Sequence, residues 1–80
     1  MATAEINKTL NQVYEIIPHF IKLPSKKMWL DYDEGADVLY INFQKPQRAN
    51  DSEMLENGVL LRYKDGDLVG ITILDASERA

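Results

Sequence analysis

The stretch Val59-Leu60-Leu61-Arg62-Tyr63-Lys64-Asp65-Gly66-Asp67-Leu68-Val69-Gly70-Ile71-Thr72-Ile73-Leu74-Asp75 decides the fold of this 80-residue chain. Two runs of branched and aromatic residues, the types that suit a pleated surface, flank Asp65-Gly66. Asp-Gly fits the two central positions of a type I′ turn, where both residues need positive φ and glycine adopts it without steric cost. The spacing predicts a β-hairpin with a two-residue loop. In that register Lys64 faces Asp67, Tyr63 faces Leu68 and Arg62 faces Val69. One face then carries Val59, Leu61, Tyr63, Leu68, Thr72 and Leu74, with Gly70 opposite Leu61. The other carries Leu60, Arg62, Val69, Ile71 and Ile73. Neither face is polar, so both are expected to need cover.

Working outward, Met28 to Tyr32 reads as a strand and Asp33-Glu34-Gly35-Ala36-Asp37 as a turn. Val38-Leu39-Tyr40-Ile41-Asn42-Phe43 reads as the antiparallel partner. Between the hairpins, Pro46 to Asn57 is polar and reads as a loop, with a short helical turn around Ser52–Leu55 as its one candidate element. Before the first hairpin, Ile6, Leu10, Val13, Tyr14 and Ile17 fall on one stripe of a 3.6-residue helix. Asn7, Lys8, Asn11, Gln12 and Glu15 fall on the other side. Thr3 suits the cap, and Pro18 predicts an end or kink, which puts the helix at about residues 4–17. His19 next to Pro18 and Phe20 reads as a half-buried packing residue. Lys22-Leu23-Pro24-Ser25-Lys26 is a linker, and Ala76 to Ala80 a fraying tail.

The expected fold is α+β: an N-terminal amphipathic helix followed by a four-stranded antiparallel sheet of two β-hairpins. The parts are a helix and linker arm over 1–27, a sheet domain over 28–77 and a tail over 78–80. One helix covers at most one face of such a sheet. A second copy is the economical cover for the other, and a two-fold homodimer is the expected state. Whether the helix packs on its own sheet or is exchanged between subunits stays open. Ile6, Leu10, Val13 and Ile17, with Trp29 and Tyr40 as aromatic anchors, form the candidate interface. A second protein partner is also compatible with this surface.

Charge sharpens the picture. Residues 1–27 hold four lysines against two glutamates, a net of +2, and residues 28–80 hold five basic against eleven acidic residues, a net of −6. A basic arm suits an acidic body. The overall net charge of −4 disfavours nucleic acid and membrane surfaces as partners. With no cysteine there is no disulfide and no thiol chemistry. No apolar run approaches the roughly 20 residues that span a bilayer. Glu5, Asn7 and Lys8 interrupt any secretory pattern, and a cytoplasmic home is expected.

Chemical motifs are sparse. Asp31, Asp33, Glu34 and Asp37 crowd one turn and are the candidate ligands for a hard divalent cation. Their spacing departs from a calcium loop: Gly35 comes one position early, and Asn42 stands where a bidentate glutamate belongs. Turn chemistry explains the same residues. His19 has no nucleophile or orienting group beside it in sequence, and Ser25, Ser52 and Ser77 lack nucleophile-elbow glycines. Lys22, Lys26, Lys27 and Trp29 could form a small single-strand platform, opposed by the acidic body. No catalytic residue and no cofactor is implied. A carboxylate-based metal site or metal-dependent enzyme, and a nucleic-acid accessory, are the alternative readings.

Tyr32-Asp33-Glu34-Gly35-Ala36-Asp37-Val38-Leu39-Tyr40-Ile41 and the run from Gly58 through Ser77 resemble, in order, the two halves of domain of unknown function 2283, a family of small bacterial proteins. The resemblance spans about residues 28–77 and leaves the helical arm outside. It implies a compact sheet domain and brings no catalytic residue with it. Some bacterial proteins of this size are encoded beside toxin-like partners, which makes an antitoxin-like role a further alternative.

Overall fold

In the computed structural model, which describes residues 3–45 and 48–79, the Asp65-Gly66 turn forms as expected, with φ of 52° at Asp65 and 87° at Gly66. It is clamped from outside. Asn50 Nδ2 donates to Asp65 Oδ1 at 2.9 Å, and Asp65 N donates back to Asn50 Oδ1 at 3.2 Å. The turn joins β4 (Val59–Lys64) to β5 (Asp67–Leu74). The first hairpin is β1 (Trp29–Asp33) and β2 (Val38–Asn42). Its loop is held by Asp33 Oδ1, which accepts from Ala36 N at 3.1 Å.

The sheet has five antiparallel strands, not four, in the order β1-β2-β5-β4-β3. The additional strand, β3 (Asp51–Met54), pairs with β4 where the sequence suggested a helical turn. Asp-Ser-Glu-Met has no strand propensity of its own. The open backbone edge of β4 supplies hydrogen bonds that outweigh that weak local preference. Pro46, proposed as the loop's start, lies outside the described residues.

The register also differs. Lys64 pairs with Asp67 and Tyr63 with Leu68 as expected, but a bulge between Arg62 and Tyr63 then shifts the ladder. Arg62 pairs with Gly70, Leu61 with Ile71, Leu60 with Thr72 and Val59 with Ile73. Because side chains alternate with a period of two, one extra residue moves every later side chain of β5 to the opposite face relative to β4. The expected division of side chains between the two faces changes with it.

α1 (Thr3–Phe20) runs three residues further than expected. Pro18 lies inside its last turn, and Ile21 N still donates to Ile17 O at 3.0 Å. So near the C-terminal end, the missing N–H of Pro18 removes only its own bond to the carbonyl of Tyr14. His19 is exposed, not half-buried. The strands pack on one another, while α1 packs broadly on none of them. The tail does not fray: Ala76–Arg79 forms a 3₁₀ turn. Arg79 anchors it by donating to the carbonyls of Leu74 and Asn57.

Two glycines should separate backbone strain from crowding. Alanine at Gly66 meets nothing within 4 Å, so Gly66→Ala loses only the left-handed backbone preference, about 1–2 kcal/mol. Each kcal/mol lowers Tm by about 4–8 °C in a domain of this size. Gly58 has a similar φ of +84°, and a Cβ there sits 3.0 Å from Arg79 Nη2. Gly58→Ala must also push the Arg79 guanidinium, which anchors the tail, by a few tenths of an ångström, and should melt lower than Gly66→Ala. Thermal unfolding by circular dichroism checks the order.

Candidate protein-interaction surface

The shifted register sorts the side chains. On one face, Leu30, Ile41, Ile71 and Leu61 form a row across four strands. Tyr32, Leu39, Ile73 and Val59 form a second row beside it. Carboxylates enter this face only at the β3 edge, where Glu53 pairs with Leu61 and Asp51 with Tyr63. The opposite face is mixed. Its rows read Trp29, Asn42, Gly70, Arg62, Ser52 and then Asp31, Tyr40, Thr72, Leu60, Met54.

Very little of this is buried. Among the described residues the buried hydrophobic side chains are Val38 and Val69, joined by Thr72. Leu30 is 62% exposed at the end of its apolar row. The six interface candidates are all open: Ile6, Leu10, Val13 and Ile17 at 40–45%, Trp29 and Tyr40 at 37–39%. The structure splits this set. The first four line α1, and Trp29 and Tyr40 stand on the mixed face of the sheet.

The total accessible surface is 6375 Å². A compact monomer of this mass exposes about 4,900 Å². The radius of gyration, 14.7 Å, likewise exceeds the roughly 12 Å of a compact domain of this length. The excess of about 1,400 Å² is larger than the roughly 800 Å² that each partner contributes to a standard interface.

The arm leaves the sheet along a fixed path. Lys26 Nζ donates to Ile21 O at 2.6 Å and to Leu23 O at 2.8 Å. These carbonyls follow the C-terminal end of α1, where a cation is favoured. Ser25 Oγ donates to Lys27 O at 2.7 Å. Leu23, Pro24 and Ser25 then line an apolar groove of about 380 Å³ with Phe43, Leu68 and Ile71. The basic-aromatic cluster is thereby divided, since the Lys26 ammonium is turned onto the arm's own backbone.

The carboxylates of the first hairpin do different jobs. Asp31 and Asp33 alternate along β1, and Asp33 holds the turn. Asp37, at φ 55°, accepts from Tyr32 Oη at 2.6 Å and Ser77 N at 3.0 Å on Oδ1, and from Ser77 Oγ at 2.8 Å on Oδ2. Its own carbonyl accepts from Ala76 N at 3.0 Å. Among the described residues no three His, Cys, Asp or Glu side chains converge as a metal ion requires. No helix among them is long and apolar enough to cross a membrane. Lys26 and Ser77 carry no local pattern that marks these roles: one acts on the helix end before it, the other 40 residues back.

A family model described as "Protein of unknown function (DUF2283)" matches residues 29–77. The chain belongs to the DUF2283 family. The match covers the sheet and the Asp37–Ser77 clip of this DUF2283 chain, and α1 with its linker precedes it. No curated protein and no solved structure matches the chain.

The clip has a pH signature. Hydrogen bonds from Tyr32 and Ser77 hold the Asp37 carboxyl below its ordinary value, and the Asp37 acceptor holds the Tyr32 phenol above its own. A depressed carboxylate contributes stability that is full above the unfolded value, about 4, and lost as pH falls through the folded one. A raised phenol contributes stability that is full below about 10 and lost as pH rises past it. Asp37→Asn should therefore flatten the acid limb of a urea-stability profile, and Tyr32→Phe the alkaline limb, with the largest loss of stability for each at neutral pH, where both contributions are full.

Proposed function

We propose that the protein is a non-enzymatic interaction module that works as a homodimer. The observation that carries this reading is the surplus of accessible surface, which includes a bare amphipathic helix and an apolar sheet face whose side chains are at most half-buried. Each fully buried Leu, Ile or Val side chain contributes roughly 1.5–3 kcal/mol, so leaving both surfaces wet forfeits more than a domain stable by about 5–15 kcal/mol can spare. The area involved is that of a specific interface, not of scattered surface residues. The basic arm and acidic body add electrostatic complementarity between copies. Trp29 and Tyr40, exposed on the mixed face, extend the reading to a second protein partner, because such side chains anchor interfaces.

Sedimentation equilibrium at micromolar concentration is expected to give twice the chain mass of 9.2 kDa. Leu10→Asp should shift the protein to monomer with the strands still folded and the helical far-ultraviolet signal reduced, because Leu10 is already exposed within the single chain and α1 then has no cover. A wild-type monomer under these conditions defeats the reading.

A further inference from the structure

We propose that the two copies exchange their arms: the Ile6, Leu10, Val13 and Ile17 stripe of each α1 lies on the Leu30–Ile41–Ile71–Leu61 face of the other. This rests on the homodimer reading above and adds which surfaces meet. Each chain has two unpartnered apolar surfaces, one on α1 and one on the sheet. Pairing α1 with α1 leaves both sheet faces wet, and pairing face with face leaves both helices wet. Helix on sheet covers both at once.

The same cover could in principle come from α1 folding back on its own sheet, and the linker opposes that. Lys26 ties the end of the arm to Ile21 and Leu23, which sets the direction in which α1 departs. Leu23 and Pro24 wall a groove together with Phe43, Leu68 and Ile71, so the chain's own linker runs beside the end of the face where α1 would have to double back. Folding back would have to swing α1 around the braced linker and past that groove, and a second copy needs no such movement.

Dimensions agree. An α-helix of 18 residues is about 27 Å long, and five strands at about 4.8 Å spacing are about 19 Å across, so one α1 crosses the whole sheet. The arm carries the positive charge, and Asp51 and Glu53 rim the apolar face at its β3 edge.

The absence of cysteine makes a crosslinking test clean. Leu10→Cys in one copy and Leu30→Cys in a second, differently tagged copy both alter exposed side chains. The two are mixed, equilibrated and treated with a short bis-maleimide, while sedimentation of the untreated mixture reports the dimer. Arm exchange predicts a covalent product joining the two tags, in excess over the product of either variant alone. It also predicts that the Leu10→Cys, Leu30→Cys double variant crosslinks between chains, giving dimers on a denaturing gel. A dimer that crosslinks chiefly through Leu10→Cys alone, or not at all, overturns the exchange and leaves the homodimer standing. A double variant that closes on itself as a monomer also overturns it. A mixture that sediments as monomer overturns both readings together.

Discussion

The structure turns on a one-residue offset in the β4–β5 ladder. Without the bulge, Ile71 and Ile73 would share a face with Arg62, and Thr72 would share one with Leu61. With it, Ile71 and Ile73 join Leu61, Val59, Leu39 and Ile41, and Thr72 moves to the side of Arg62 and Asn42. A sheet with two half-apolar sides becomes a sheet with one apolar side and one mixed side. That approaches the alternation of an antiparallel sheet built to cover one face, although the buried Val38 and Thr72 lie on the mixed side. The bulge therefore converts a vague need for cover into a directed one.

What remains is an unusual division of labour for so small a chain. The sheet builds itself from backbone pairing and a very small buried core, Val38 and Val69 with Thr72. The turns that hold it are polar: Asn50 on Asp65, Asp33 on Ala36, and Asp37 on Tyr32 and Ser77. The apolar residues that would normally form a core are instead divided between α1 and the sheet face, with a braced linker keeping the two apart. A helix with no tertiary partner is only marginally stable in water at this length. Its amphipathic stripe makes sense as something to be covered.

Sequence reasoning reached the parts of this that are local. Asp65-Gly66 determines its turn through the φ it requires, and the first hairpin follows from β-branched runs around an Asp-rich loop. The helix stripe follows from spacing. What it missed is non-local. β3 exists because β4 offers an edge, not because Asp-Ser-Glu-Met prefers to extend. The bulge at Arg62 is a compromise among three strands, and no pair of residues in the hairpin announces it. Pro18 sits late enough in α1 that its missing N–H breaks only one bond. Ser77 and Arg79 look like a loose tail until Asp37 and the carbonyls of Leu74 and Asn57 come within reach. Of the six interface candidates, four fall on one element by helical period alone, while Trp29 and Tyr40 needed the pairing of β1 with β2 to be placed on the other face.

The carboxylates acquire a role that their crowding in the sequence conceals. Asp31 and Asp33 lie on β1, and Asp51 and Glu53 lie on β3, the two edge strands of the sheet. Open edges carry unpaired backbone groups and invite another chain to add a strand. Two copies meeting at either edge would bring like charges face to face, which is destabilising. The acidic residues thus oppose strand addition at both edges of the sheet. On the proposed reading the edges are the disfavoured places for a second copy to meet the sheet, and its apolar face is the favoured one.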